Sequence, residues 1–234
     1  MLGSLTVLLS DTTMTLVQRS RSEYHGGVDY MTAENRLAMS VGEAIFTQRA
    51  IRRLKPDPIP ESDLRDILKA ATRAPSGGNS QPWHFVVVTD ERLRAEFAPL
   101  YREAWWAKRR DSGFLGPEDI PPEYKAAMGL ADRIGESPVI VLLCATTKGT
   151  GPMSSTIPAA QNLLLAARAL GIGGTITTLH SQVEERVHAL FHIPETAQIV
   201  YCLPLGYPRG RFGPAQRKQL SEVCSSDLWG NAFS

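Results

Sequence analysis

The chain has little that would mark it for a membrane, a nucleic acid or a metal. No apolar run approaches the ~20 residues a helix needs to cross a bilayer. Residues 2–9 are apolar but short and have no basic stretch before them, so a signal peptide is not expected. Lysine and arginine number 25 against 24 acidic residues, and a formal net charge of +1 argues against a chain-wide surface for nucleic acid. Any attraction for anions must be local. The three cysteines, Cys144, Cys202 and Cys224, lie far apart and form no C-x-x-C pair, which excludes a readable zinc ribbon or thioredoxin-type site. Cys144 and Cys202 sit in apolar runs and read as buried thiols. An odd number without a framework suits a reducing compartment, and the cytoplasm is the expected location. There is no H-E-x-x-H and no G-x-S-x-G. His188 and His192 are spaced i, i+4 but have no third ligand in sight, so no metal site is expected.

What is present is an ordinary globular composition, 43% hydrophobic and 21% charged over 234 residues, enough for one substantial core. Residues 1–40 are polar and irregular. They read as a mobile extension, or as residues upstream of a later start such as Met39. From Val41 a helical pattern runs through Ala44, Ile45 and Ile51 until the prolines of 55–60 break it. Glu61 to Arg73 is amphipathic, with Leu64, Ile67, Leu68 and Ala71 on one face. Residues 91–135 form a charged, aromatic-rich helical segment interrupted by Pro99 and Pro121-Pro122, which reads as an inserted lid. Pro138 to Ala145 is a strand buried on both faces, and Ile157 to Leu170 a buried helix capped by Gly171. Ser181-x-x-Glu184 reads as a capping box opening a further helix, and Ile199 to Leu205 as a last buried strand. Helices mixed with apolar strands define an α+β class.

Four stretches carry possible chemistry. The loop from Pro75 to Trp83 joins a helix to a strand through small polar residues. Gly77 and Gly78 allow close backbone approach, and Ser76, Asn79 and Gln81 add uncharged donors and acceptors. A plain connector explains the proline and glycines but not the dense polar run. Arg49, Arg52, Arg53 and Lys55 form a basic cluster; on a helix, the i, i+3 spacing sets Arg49 and Arg52 on nearly one face, where two guanidinium forks suit a phosphate. A solvated helix end accounts for the same residues. Gly171 to Leu179 holds three glycines in four residues but fails the G-x-G-x-x-G spacing at Ile176, and a tight turn explains it without a ligand. Arg209, Arg211, Arg217 and Lys218 make a basic tail, which also reads as a solvated loop. Tyr101, Trp105, Trp106 and Phe114 are either satellite core or faces that sandwich a flat substrate.

The arginine segment, the Pro75–Trp83 loop and the glycine turn together resemble the FMN-dependent nitroreductase family, from about residue 41 almost to the C-terminus. The resemblance implies one FMN-binding domain over 41–234 with a nitroreductase-like fold, a central, mostly antiparallel sheet flanked by helices, and 91–135 as its helical lid. It implies a domain-sharing homodimer with FMN at the subunit interface. Arg49, Ala50 and Arg52 would take the cofactor's phosphate and ribityl groups. Here the chain departs from the family, with Gln48 in place of an arginine and Ala50 in place of a serine. A missing hydroxyl removes one hydrogen bond, about 1 kcal/mol. Pro75, Ser76, Gly77 and Asn79 would line the flavin from the partner, although Asn79 and Gln81 also suit turn or interface roles. Ile176, Thr177, Thr178 and Leu179 would run along the isoalloxazine, with the Thr178 backbone N–H on flavin N5. Arg217, or alternatively Arg209, would complete the phosphate site. Tyr101, Trp105, Trp106 and Phe114 would hold the acceptor.

The implied reaction is ping-pong: NADPH or NADH delivers hydride to N5, departs, and a small flat aromatic acceptor such as a nitroaromatic or quinone takes its place. No side chain is then obligatory as acid or base. Other reactions occur on this fold, reductive dehalogenation among them. Two readings of a different class are a non-enzymatic flavin-binding protein for storage or sensing, and a regulatory module without flavin, which only Gln48 and Ala50 favour. The sequence carries no 2′-phosphate site that would choose between NADH and NADPH.

Overall fold

The structure, a computed structural model, describes residues 36–233. The chain divides into Met1–Ala38 and Met39–Ser234, and the second unit is the one described below. The N-terminal extension expected over 1–40 falls almost wholly outside the described residues.

Strand β1 (Trp83–Val88) pairs antiparallel with β2 (Val139–Ala145), Trp83 opposite Ala145 and Val88 opposite Ile140. In turn β2 pairs antiparallel with β4 (Gln198–Gly206), and the two-residue β3 (Gly173–Gly174) closes the order β1-β2-β4-β3. All seven residues of β2 are buried, as its unbroken apolar run requires of a strand covered on both faces. Every pairing among these four strands is antiparallel, which agrees with the expected sheet.

Helices cover each face. Ile140, Leu142 and Cys144 point into a cluster with Phe97, Tyr101, Trp105, Ile134, Val183 and Val187. These come from α3 (Glu91–Asp111), α4 (Pro122–Arg133) with the turn after it, and α6 (Ser181–Leu190). On the other face lies α5 (Thr150–Ala169), whose buried stripe of Ala159, Ala160, Leu163, Leu164, Ala166 and Ala167 lets it approach the sheet closely. Against α5 packs α2 (Glu61–Ala71), which buries Ile67 and Ala71 completely. Each fully buried aliphatic side chain of this kind contributes about 1.5–3 kcal/mol.

Four expectations are corrected. First, the helix that opens at Ser40, whose hydroxyl accepts from the Glu43 N–H at 3.1 Å, ends at Thr47. This α1 (Val41–Thr47) gives way to extended chain at Gln48, so Arg49 and Arg52 are not on a helix. Pairing with the sheet edge overrides local helical preference: Ile51 N–H donates to Gly174 O at 2.9 Å and Lys55 N–H to Tyr207 O at 2.8 Å. Second, Pro99 does not interrupt α3, because Phe97, Tyr101, Ala104 and Trp105 bury one face of it and offset the proline's cost of about 3 kcal/mol. Third, α5 starts at Thr150, seven residues earlier than the apolar pattern suggests, and continues through Pro158. Fourth, no Ser181–Glu184 capping box forms. The cap is His180, whose Nδ1 accepts from the Gln182 N–H at 3.1 Å while Nε2 lies 3.0 Å from Asp111 Oδ2.

Candidate active site

Two seams hold the site residues that lie on segment 48–55. The chain is extended at Gln48 and joins its neighbours through isolated bridges at Ala50 and Leu54, so no helical i, i+3 spacing sets Arg49 and Arg52 on one face. Arg49 is exposed, Ile51 is buried and Arg52 is half-buried. Ala50 forms a parallel bridge with Gly174, and Leu54 an antiparallel bridge with Pro208. Gly173 makes the first contact possible: a Cβ placed there would sit 2.9 Å from Ile51 Cβ, closer than two carbons tolerate. The glycines therefore have a packing reason independent of any ligand, and Gly171, at φ +73°, supplies the turn that ends α5. Arg209 serves the same seam. Its N–H donates to Arg53 O and its Nε to Leu54 O, both at 2.9 Å, so this arginine braces the strand that carries Arg49 and Arg52. Arg217 stands apart, exposed, with one guanidinium N–H on Gln216 O.

Segment 176–179 runs beside the middle of β4. Thr177 exchanges both backbone hydrogen bonds with Cys202, at 2.9 and 2.8 Å, and its hydroxyl also donates to Cys202 O at 3.0 Å. The next residue behaves differently. Lys108 Nζ donates to both the carbonyl and the hydroxyl oxygen of Thr178, while among the described residues the Thr178 N–H has no partner. Thr178 is exposed and Ile176 is 37% exposed. The peptide plane that carries the Thr178 N–H is held by its own oxygen, Thr177 O, which accepts from Cys202 N–H at 2.8 Å, while Lys108 holds the next plane along. An N–H fixed from both sides is a preorganised hydrogen-bond donor. Sequence reasoning missed Lys108. Its only signal was a Lys-Arg-Arg run at the end of α3, and the 70-residue separation from Thr178 is invisible without the fold.

The Pro75–Trp83 loop is tied to the rest of the chain where Gly77 N–H donates to Ser155 Oγ at 3.2 Å and Pro82 O accepts from Thr146 N–H at 2.8 Å, and it is shaped internally by Gln81 N–H donating to Ser76 Oγ at 3.0 Å. Gly78, Asn79 and Gln81 all have positive φ, +58°, +54° and +47°. For Asn79 and Gln81 this left-handed backbone is unfavourable, and such outliers concentrate where a loop is shaped for a ligand or partner. Pro75, Gly77 and Asn79 are exposed and Ser76 half-buried, and none of them bonds to the arginine seam or to segment 176–179.

The lid residues divide. Tyr101 and Trp105 are buried in the core cluster, at 3% and 7% exposure, whereas Trp106 and Phe114 are half-buried against it. Burial pushes the Tyr101 phenol well above its ordinary range, with the nearby Arg52 charge acting the opposite way. Burial also raises the Cys202 thiol to about 12, so it stays protonated. Arg109 is clamped between two rings, its guanidinium 5.3 Å from the Trp105 centroid and 4.6 Å from that of Tyr124. Among the described residues no carboxylate pairs with Arg49, Arg52, Lys108 or Arg109.

A four-stranded antiparallel sheet with helices packed on both faces places the chain in the α+β class. The model of the nitroreductase family matches residues 45–207, and the chain belongs to that family. It is 30% identical over 197 residues to a protein named NADH dehydrogenase from Thermus thermophilus, covering 80% of this chain and 94% of that one. It is 34% identical over 181 residues to 5,6-dimethylbenzimidazole synthase of Rhodospirillum rubrum, covering 71% and 82%. Among solved structures, oxidized iodotyrosine deiodinase bound to FMN and 3-iodo-L-tyrosine superposes with a TM-score of 0.66 at 24% identity, covering 83% of this chain and 100% of that one.

Proposed function

We propose that this chain is an FMN-dependent NAD(P)H oxidoreductase that reduces flat aromatic acceptors, nitroaromatics or quinones, as a homodimer. The observation that carries the reading is the Thr178 N–H. It is fixed by Lys108 through the other end of its own residue, left without a partner, and set in the segment where the family resemblance puts the flavin edge. The residues fit the group in two further respects. Arg49 and Arg52 have no carboxylate partners, which leaves their guanidiniums available to a phosphate. A Cβ at Gly78 would meet nothing within 4 Å, so that loop presents open backbone.

When bound, FMN supplies a two-electron relay from NADH or NADPH to the acceptor. The protein's share is to bind and to orient. Arg49 and Arg52, from the braced seam, hold the phosphate, with Arg217 as a further contact. Ile176 and Leu179 offer apolar surface to the ring system, and Thr178 donates to its edge nitrogen. Pro75, Ser76, Gly77 and Asn79 approach from the second subunit, which accounts for their exposure and lack of bonds to the seam within one chain. Trp106 and Phe114 stack on the acceptor, with Tyr101 and Trp105 supporting them from the core. The relatives' names include a deiodinase and a benzimidazole synthase, so the acceptor panel must include halophenols beside nitroaromatics and quinones.

The test is the visible spectrum of the purified protein, repeated anaerobically after NADPH or NADH is added. Flavin bands that bleach within the mixing time are expected. Bands that persist favour flavin storage or sensing, and a colourless protein that takes up no added FMN overturns the reading.

A further inference from the structure

The reading above uses Lys108 only as the brace of Thr178, yet an ammonium has three donors and Thr178 occupies two. The third has no partner among the described residues. Neighbouring carboxylates are engaged elsewhere: Glu103 with Arg186 at 2.7 Å and Gln182 at 2.9 Å, Asp111 with His180 at 3.0 Å. The adjacent cation is equally bare. Arg109 is held by aromatic stacking, and its buried Nε has no hydrogen-bond partner. Cations are favoured at a helix C-terminus, and that alone explains a basic last turn in α3. It does not explain why Lys108 turns onto Thr178, or why a half-buried ammonium beside a second cation is left without an anion. Burial first, and then the Arg109 charge, hold Lys108 down at about 8, so the local arrangement is short of negative charge.

We propose that Lys108, with the field of Arg109 beside it, selects acceptors that carry a carboxylate on their aromatic ring over neutral ones of the same shape. This rests on the flavin reading of Thr178. A carboxylate takes the third ammonium hydrogen and supplies the missing charge, while a neutral acceptor desolvates the cation without compensation.

The experiment titrates the FMN-loaded oxidised protein, without reductant, with 4-nitrobenzoate and with its neutral isostere 4-nitrobenzamide, following the flavin absorbance. The benzoate is expected to bind about tenfold tighter, the effect of one charge-assisted hydrogen bond. The preference should shrink as sodium chloride is raised, vanish in Lys108→Met and persist in Lys108→Arg. Equal affinities in the wild type, or a preference that survives Lys108→Met, overturn the proposal. Should Lys108→Met not fold, the wild-type comparison and its salt dependence decide alone, and a salt-independent preference counts against it. A protein that binds no FMN gives no flavin signal at all, which identifies a failure of the underlying reading rather than of the selectivity.

Discussion

The arginine seam and the Pro75–Trp83 loop are both site segments of small and polar residues, and the fold treats them oppositely. Segment 48–55 is tied along its length, by Gly174, Tyr207, Pro208 and the Arg209 side chain, and its Ile51 and Leu54 are buried. The loop is tied to the rest of the chain through Gly77 and, at its end, Pro82; it has three residues at positive φ, and Pro75 and Gly77 to Gln81 are exposed. On the proposed reading, one half of the site is thus preorganised inside a single chain. The other is shaped but uncovered, the form expected of a surface that a second copy completes. Preorganisation matters because a phosphate clamp that must first be ordered loses part of its binding energy to that ordering.

The largest break in this contrast is expected at Gly173. Gly173→Ala places a methyl group against Ile51 Cβ, so the seam must move away from β3. Overpacking of this kind costs about 1–3 kcal/mol. Denaturant midpoints should fall and FMN retention with them. In the loop, Gly78→Ala meets no neighbour, and its cost is only that of a left-handed alanine, about 1–2 kcal/mol. A Gly78→Ala variant less stable than Gly173→Ala would invert the comparison.

Next in size are the arginines. Arg52→Ala removes a half-buried guanidinium on the tied seam and should weaken FMN binding by about 1.5–3 kcal/mol, the range for a hydrogen bond to a charged group. Arg217→Ala, on an exposed side chain bonded only to its neighbour's carbonyl, should cost well under that. Equilibrium titration of the apoprotein with FMN separates the two, and equal losses would move the phosphate site toward the tail. A smaller effect is expected at Gln81. Gln81→Gly relieves a positive φ and should gain or lose less than about 1 kcal/mol of stability, read from thermal midpoints.

Much of the frame was legible in the sequence for a physical reason: burial on both faces makes β2 an unbroken apolar run, and burial of one face gives α2 its helical period. The Pro75–Trp83 loop was legible because its composition has few other uses. The Arg49–Arg52 geometry was not. Residues 41–54 carry a helical pattern, but Ile51 and Leu54 have sheet-edge partners more than a hundred residues away, and those bonds decide the conformation. His180 as a cap was hidden likewise, since it depends on Asp111, which sequence places 69 residues earlier. Long-range pairing overrode local preference at these two points, and both border the proposed site.

The smallest expected effect concerns pH. Lys108 has its charge in the folded protein only below about 8, against an ordinary lysine value of 10.5. Burial holds its neighbours above that window, Cys202 at about 12 and Tyr101 higher still. The unfolded chain therefore binds more protons than the folded one between about 8 and 10.5. Lysine 108 by itself makes folding more favourable as pH rises through that interval. Its half-exposed position screens the effect, so the stability change should be slight. Selectivity should move the other way. Nitrobenzoate stays ionised throughout, and its advantage over nitrobenzamide should fade as Lys108 loses its proton near pH 8, while Lys108→Arg holds it constant. A wild-type preference that stays level from pH 7 to 9.5, in flavin-absorbance titrations, would place the selecting charge on Arg109 or Arg52 instead.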